Sequence, residues 1–227
     1  MKIGILQTGH AHEAILQTLG DYDVQFERLL DGNGFSYETY NVIDMAFPQS
    51  INACDGWIIT GSKHGAYEDH PFIQPLEELI RDIYAAGVPL VGICFGHQII
   101  AQALGGKVEK FPGGWAAGRT SYDWSGQPVT LNTWHQDQVT EIPKDATVLA
   151  ANDFCQYAAL AYGNRIFTTQ PHPEYGAQFM DGLLEFRGKG VLPPQILAEA
   201  HANLDKPIDS PRIARQIARF FKERVVA

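Results

Sequence analysis

Short apolar runs alternate with amphipathic segments through the first hundred residues. The runs resemble strands buried on both faces, and the intervening segments carry apolar residues every three or four positions, as helices do. Strands are predicted at Lys2–Leu6, Ser36–Ile43, Asp55–Thr60 and Val88–Ile93, with helices ending near Leu30, over Pro71–Ala86 and after Ile93. This alternation of strand and helix predicts an α/β fold, with a mostly parallel sheet and helices on both faces.

The pattern changes between Lys107 and Gln170. Short β-type runs alternate there with Gly, Pro, Asn and Asp turns, namely Val129–Leu131, Thr147–Ala150, Tyr157–Ala161 and Arg165–Thr169. Such spacing favours a small antiparallel section beside the parallel sheet. Ser210–Pro211 then marks a helix start, since a capping hydroxyl precedes a proline at the first helical position. We expect residues 1–227 to form a single domain.

Composition narrows the class of protein. The 227 residues are 45% hydrophobic and 19% charged, with a formal net charge of −9, so a nucleic-acid partner is not expected. No apolar run approaches the roughly 18 residues of a membrane span, and the N-terminus is unlike a signal peptide. Three widely spaced cysteines predict neither a disulfide framework nor a zinc cluster. We expect a cytoplasmic protein.

Cys94 occupies the most informative segment. Gly92-Ile93-Cys94-Phe95-Gly96 has the form G-x-C-x-G and lies where a buried strand runs into a helix. In a nucleophile elbow, such a turn holds the side chain clear of the sheet while the flanking glycines allow close backbone approach. The unpaired N–H groups of the helix N-terminus stabilise a thiolate, and the N–H of Phe95 is one predicted oxyanion donor. The alternative is a small buried cysteine in a glycine-rich turn, which is the interpretation given to Cys54 and Cys155.

His172 and Glu174 supply the partners that a thiolate nucleophile needs. They stand two residues apart in Gln170-Pro171-His172-Pro173-Glu174, so in extended backbone their side chains leave on one side. A carboxylate there fixes the tautomer of the imidazole and stabilises the imidazolium. Alone, His-Pro-Glu is also found in ordinary surface loops; together with the Cys94 elbow it indicates a catalytic triad.

Four ordered motifs resemble the class I, or triad, glutamine amidotransferase family. GICFGHQIIAQALGG is similar to the family's G-x-C-x-G-x-Q block, and QPHPE is similar to its Q-x-H-P-E block. The segment Trp134–Val139 resembles S-H-G-D-x-V of GMP synthase glutaminase domains, and Asp55–Tyr67 resembles their D-G-x-I-L-S-G-G-P-x-S-V-Y. The resemblance implies a flavodoxin-like, doubly wound fold with neither a metal nor an organic cofactor.

The resemblance also implies roles for individual residues. Cys94 is then the nucleophile, His172 the general base and acid, and Glu174 its orienting partner. The backbone N–H groups of Ser62 and Phe95 form the oxyanion hole, Ser62 standing where the family has glycine. The substrate is held by Gly61, Gln98, His135, Gln136 and Asp137.

The substrate and partner stay open at this stage. The chain contains no phosphate-binding loop and no synthetase domain, so it is either an amidotransferase subunit with an ammonia-accepting synthetase partner or a self-sufficient hydrolase. Its variant motifs look closer to the γ-glutamyl peptidases, which act on glutathione-like peptides. We expect hydrolysis of the γ-amide of glutamine or of a γ-glutamyl compound. A catalytically silent binding domain is the alternative from another class.

Aromatic and charged residues of two segments are expected at the mouth of the site. If Gly61–Tyr67 and Trp115–Trp124 form loops there, they could hold a peptide-like leaving group by stacking and by an Arg–carboxylate pair. The residues concerned are Lys63, His64, Tyr67, Trp115, Arg119, Tyr122 and Trp124. Packing of these aromatics against the sheet edge is the alternative.

Overall fold

A nine-stranded sheet runs through the computed structural model, which describes residues 1–226. In spatial order its strands are β2 (Ser36–Tyr40), β1 (Lys2–Leu6), β3 (Gly56–Ile59), β4 (Leu90–Ile93), β11 (Ile166–Thr169), β10 (Ala159–Tyr162), β9 (Thr147–Ala151), β6 (Ala116–Trp124) and β7 (Gln127–His135). The first five strands in this order, from β2 across to β11, are parallel to one another. Each of the remaining four is antiparallel to the strand before it. Strands β5 (Lys107–Lys110) and β8 (Asp137–Glu141) form a separate antiparallel pair.

Helices pack on both faces of the parallel strands and beside β6. They are α1 (Glu13–Leu19), α2 (Tyr22–Leu29), α3 (Ile73–Ala86), α4 (Phe95–Ala103), α5 (Ala177–Leu183), α6 (Pro194–Ala202) and α7 (Ser210–Glu223). Helices α3 and α4 pack in one apolar cluster, and α2 and α7 pack in another. The predicted α/β fold is therefore confirmed. Within residues 1–226, no helix combines the length and the apolar character needed to cross a membrane.

Strand β3 shows why the sheet has two apolar faces. Successive side chains of a strand point to opposite faces. Ile58 accordingly lies in the cluster of α2 and α7, whereas Ile59 lies in the cluster of α3 and α4. Both side chains are fully buried, which stabilises the fold by roughly 1.5–3 kcal/mol for each. A strand buried on both faces therefore appears in the sequence as a continuous apolar run.

Two predicted elements near the N-terminus need correction. The single helix expected before Leu30 is two helices, because Gly20 ends α1 with a positive φ of 82° and Asp21 begins α2. The Asp21 carboxylate accepts a hydrogen bond from the N–H of Tyr22 at 2.9 Å, as an N-cap does. The second strand ends at Tyr40, and a short 3₁₀ turn follows.

The segment Trp115–Trp124 is also not a loop. Residues Ala116–Trp124 form β6, which pairs with β7 over its whole length. Tyr122 and Trp124 are buried in the core, so the alternative that these aromatics pack the sheet is correct for both. The Arg119 side chain instead donates a hydrogen bond to the carbonyl of Pro207 at 3.0 Å. None of these three residues lies at the mouth described below.

Candidate active site

The predicted site residues gather where parallel strands end. The turn after β4 carries Cys94, the segment after β11 carries His172, and the loop after β3 begins at Thr60. Since β3, β4 and β11 are adjacent and parallel, these three loops meet at one edge of the sheet. Ligands of α/β sheets commonly bind at this carboxyl edge.

Cys94 has the strained backbone of an elbow. Its φ of 54° and ψ of −104° are unusual for a residue with a side chain. A Cβ on Gly92 would approach the carbonyl oxygen of Gly96 to 2.6 Å, and a Cβ on Gly96 would approach that of Ile59 to 2.3 Å. Both glycines of the G-x-C-x-G motif are therefore required for close packing at the turn.

Hydrogen bonds fix the elbow between its neighbouring strands. The N–H of Cys94 donates to the carbonyl of Thr169 at 2.9 Å, and that of Gly96 donates to Thr60 at 3.1 Å. The first N–H groups of a helix have no intrahelical partner. The N–H of Phe95 belongs to this group, directly after the thiol, while its side chain is buried in the core beside Phe72.

His172 and Glu174 form a buried pair beside Cys94. Nδ1 of His172 lies 2.7 Å from Oε1 of Glu174, and both side chains are almost fully excluded from solvent. The backbone N–H of His172 donates to the carbonyl of Asn132 at 2.8 Å, which ties the segment to β7. The ring stacks on Tyr175 with centroids 3.9 Å apart and planes 5° apart. The imidazole is thus held in one orientation.

Electrostatics favour a protonated His172. Burial by itself lowers the pKa of His172, but the neighbouring Glu174 carboxylate and the Cys94 thiolate outweigh it and raise the pKa to about 10, from 6.5. Because Nδ1 donates to Glu174, Nε2 is free to face the Cys94 sulfur. The negative charge of a Cys94 thiolate contributes to the raised pKa of His172. The arrangement can support a thiolate–imidazolium pair, which is the reactive form of a cysteine nucleophile.

A cavity of about 180 Å³ lies over the Cys94 sulfur. Eight of the ten predicted site residues line it, namely Gly61, Ser62, Cys94, Gln98, His135, Gln136, Asp137 and His172. Glu174 lies behind His172, and Phe95 can contribute only its backbone. Of the residues expected at the mouth, Lys63, His64, Tyr67 and Trp115 line the cavity.

One end of this cavity is rich in hydrogen-bond acceptors. The amide nitrogen of Gln98 donates to the carbonyl of Asp137 at 2.8 Å and to Oε1 of Gln170 at 3.0 Å, which leaves its own oxygen free to accept. Burial lowers the pKa of His135 to about 3, so the ring is neutral. Its Nδ1 donates to the carbonyl of Asp137 at 3.1 Å, and Tyr67 donates to the Asp137 carboxylate at 3.2 Å.

The loop after β3 is anchored through one carbonyl. The oxygen of Gly61 accepts hydrogen bonds from the hydroxyls of Thr8 at 3.0 Å and Thr60 at 3.1 Å. A Cβ on Gly61 would lie 3.1 Å from Cε1 of His172 and 3.8 Å from Cβ of Cys94. The Gly61 backbone therefore lies close to Cys94 and His172, and its carbonyl is held by residues that follow β1 and β3.

Several cavity residues had no role in the sequence interpretation. They are Tyr22, Gly65, Glu68, Lys110, Trp134, Tyr175, Leu183 and Arg187. Tyr175 directly follows Glu174, so its position in the motif could have indicated it. Arg187 carries no local signal, since it follows α5 in a π-helical turn, Leu184–Gly188.

A cluster of possible metal ligands lies at the rim. In the part of the chain that the structure describes, His64, Glu68 and His70 are the group whose ligand atoms all come within 4.8 Å of one another. Nε2 of His70 lies 2.7 Å from the Glu68 carboxylate, and Nδ1 of His64 lies 3.4 Å from it. The two histidines therefore contact this carboxylate directly, and the thiol chemistry predicted for Cys94 does not use the cluster.

Comparison with known proteins identifies the family to which this fold, elbow and cavity belong. The family model described as glutamine amidotransferase class-I matches residues 19–188, so the chain belongs to this family. It is 30% identical to γ-glutamyl peptidase 3 of Arabidopsis thaliana over 74% of this chain and 74% of that protein. It is 36% identical to the glutamine-hydrolyzing GMP synthase of Staphylococcus saprophyticus over 52% of this chain and 24% of that protein.

A solved structure confirms the fold. The crystal structure of a glutamine amidotransferase from Thermotoga maritima superposes with a TM-score of 0.78 and covers 99% of this chain and 98% of that one. The two sequences are 20% identical, so this likeness concerns the fold alone. The resemblance derived from the four motifs is confirmed, and so is the fold class that it implied.

Proposed function

We propose that this protein hydrolyses the γ-amide of glutamine or of a γ-glutamyl compound through a thioester on Cys94. The observation that carries the proposal is the Cys94 elbow beside a buried His172–Glu174 pair whose Nδ1 and Oε1 atoms are 2.7 Å apart. Two relatives, a γ-glutamyl peptidase and a glutamine-hydrolyzing GMP synthase, are named for activities on a γ-glutamyl amide bond. Their names support the same bond as the substrate of this protein. We also propose that residues 1–227 form a single domain.

The proposed reaction has two halves. The Cys94 thiolate attacks the γ-carbonyl carbon, and the His172 imidazolium gives its proton to the leaving nitrogen as the C–N bond breaks. Ammonia or an amine departs, and a γ-glutamyl thioester remains. His172 then takes a proton from water, the resulting hydroxide attacks the thioester carbonyl, and glutamate leaves as the Cys94 thiolate is restored. Glu174 orients the imidazole and stabilises its charged form throughout.

The N–H groups of Ser62 and Phe95 are the proposed oxyanion donors. In a trans peptide the C=O and the following N–H point in opposite directions, and residues 1–226 contain no cis peptide. The Gly61 carbonyl is bonded to Thr8 and Thr60, on the β1 side of β3, whereas β4 and Cys94 lie on the other side. We infer that the N–H of Ser62 points toward Cys94, which would make serine in place of glycine compatible with an oxyanion hole at this position.

This geometry favours a self-sufficient hydrolase over a subunit that a partner must activate. An oxyanion hole held open by the chain's own hydroxyls needs no docking event to form. An ammonia-accepting synthetase is the alternative partner, and it predicts slow hydrolysis until the two proteins bind. A silent binding domain has no need of the strained Cys94 backbone or of a protonated His172 beside it.

Turnover by the isolated protein tests the proposal. The purified chain is incubated with glutamine and with γ-glutamyl dipeptides, and release of glutamate is measured without any second protein. We expect hydrolysis that is abolished in Cys94→Ser, because the thioester cannot form. Cys54→Ser is the matched control and should keep the rate, since Cys54 lies outside the cavity. Absence of turnover with every substrate, from a folded protein, would refute the hydrolase.

A further inference from the structure

The residues that line the cavity fall into two chemically different groups, one around Gln98 and Asp137 and one that adjoins His172 through Tyr175. At one end, Gln98 offers a free amide oxygen and Asp137 a carboxylate, which suit an α-ammonium group. Lys110 also lines this end, opposite Asp137 in the pairing of β5 with β8. Its positive charge stabilises the Asp137 carboxylate. Acceptors together with a cation match the amino-acid head of a glutamyl group.

The other group consists of aromatic side chains and one arginine. Tyr175 stacks on His172, and Tyr22 follows with its ring centroid 6.4 Å from that of Tyr175. Arg187 lies beyond them, with Nη1 3.4 Å from the Tyr22 hydroxyl. All of these residues line the same cavity as Cys94. With the head of the substrate among the acceptors and its γ-carbonyl at Cys94, this chain of contacts from His172 to Arg187 offers a path for the leaving group.

Arg187 is a half-buried cation without an acidic partner. Arg81 and Arg219 form ion pairs with glutamates on their own helices, but within residues 1–226 no carboxylate lies within ion-pair distance of Arg187. Its π-helical turn is the kind of irregularity that occurs often at functional sites. A guanidinium recognises carboxylates through paired N–H donors, so the unpaired Arg187 can accept an anionic group of the substrate.

We propose that Arg187, with the Tyr22 hydroxyl beside it, binds the free carboxylate of the amino acid that leaves from a γ-glutamyl dipeptide. The site then selects γ-glutamyl amino acids over glutamine, whose leaving group is ammonia and carries no carboxylate. This inference rests on the proposed hydrolysis and names its substrate class.

Two other cations line the cavity and fit this role less well. Lys110 lies at the acceptor end, where it serves the head of the glutamyl group. Lys63 lies on the loop after β3, and both it and Lys110 are exposed, so solvent screens their charges more than that of the half-buried Arg187. Arg187 is the cation beyond Tyr175 and Tyr22, on the side where the leaving group departs.

A pair of nearly isosteric substrates tests the proposal. The dipeptide γ-Glu-Gly carries the carboxylate, and γ-Glu-glycinamide replaces it with a neutral amide of similar size. We expect wild-type kcat/KM to favour γ-Glu-Gly by about tenfold or more, equivalent to about 1.4 kcal/mol. In Arg187→Gln that ratio should fall close to one. Lys189→Gln is the matched control: it removes one positive charge from an exposed neighbour outside the cavity and should keep the wild-type ratio.

The outcomes separate the two proposals. Turnover of both dipeptides without a preference, or an unchanged ratio in Arg187→Gln, would overturn the Arg187 subsite and leave the hydrolase standing. If the preference for γ-Glu-Gly is lost in Lys189→Gln as well, it arises from the net charge of the protein and not from Arg187. That result would also overturn the subsite. Hydrolysis of glutamine but of neither dipeptide would also overturn the subsite, whereas hydrolysis of neither glutamine nor any γ-glutamyl compound by the wild type would refute the proposed function itself. Thermal unfolding of each variant identifies any that fail to fold.

Discussion

Replacing Thr8 by valine tests how the oxyanion hole is held. Valine keeps the shape of threonine and removes the hydroxyl that donates to the Gly61 carbonyl at 3.0 Å. In this variant the Gly61 carbonyl still accepts a hydrogen bond from the Thr60 hydroxyl, and the Thr60 carbonyl still accepts one from the N–H of Gly96. Neither carbonyl is left without a partner. The free energy of unfolding should therefore fall by only about 1 kcal/mol.

The expected kinetic effect follows from the lost hydrogen bond. One hydrogen bond contributes roughly 0.5–1.5 kcal/mol net, which is a factor of about 2–10 in an equilibrium constant. The equilibrium concerned is between the Gly61–Ser62 peptide with its N–H toward Cys94 and the same peptide flipped. Removing both hydroxyls, in Thr8→Val/Thr60→Val, should approach the loss of a whole donor, about 10²–10³ in kcat. The single variant removes one hydrogen bond and should show only the smaller effect, with kcat lowered about threefold to tenfold and KM little changed.

Steady-state kinetics with a γ-glutamyl substrate provide the assay. Thr133→Val is the matched control, since Thr133 is equally buried but its hydroxyl does not contact the Gly61–Ser62 peptide. The double variant also leaves the N–H of Thr8 without its acceptor, Thr60 Oγ1, so its folding is verified by thermal unfolding. A folded double variant whose kcat stays within about twofold of wild type would refute the role of these hydroxyls.

Three further predictions concern the triad. Iodoacetamide should alkylate Cys94 near pH 7 much faster than Cys54 or Cys155. Burial raises the pKa of Cys54 and raises that of Cys155 to about 12, so both stay protonated at this pH. Equal alkylation rates, measured by mass spectrometry, would contradict the activated thiol. Glu174→Gln should lower kcat by about 10²–10⁴ with a smaller change in KM, and unchanged turnover at saturating substrate would exclude the orienting role. The alkaline limb of kcat/KM should appear as pH rises through about 10, where His172 loses the proton it gives to the leaving amine. In Glu174→Gln this limb should shift to lower pH, since the carboxylate that raises the pKa of His172 is gone, and a pH profile identical to wild type would disprove that origin.

Local sequence was sufficient for the features that depend on neighbouring residues. The G-x-C-x-G turn needs glycine at positions 92 and 96, because any Cβ there would collide with backbone. His172 and Glu174 stand two apart in extended backbone, and their side chains meet as expected. Apolar runs predicted the buried parallel strands, since a strand covered on both faces has no polar side.

Tertiary structure decided the features that depend on distant pairing. The stretch 116–124 appeared irregular in sequence, yet β7 supplies a hydrogen-bonding partner along its entire length and makes it a strand. Arg187 reaches the cavity only through the path of the chain after α5, and Thr8 reaches Gly61 only because β1 lies beside β3. Residue periodicity reports which face of an element is buried, and it carries no record of which distant element will cover that face.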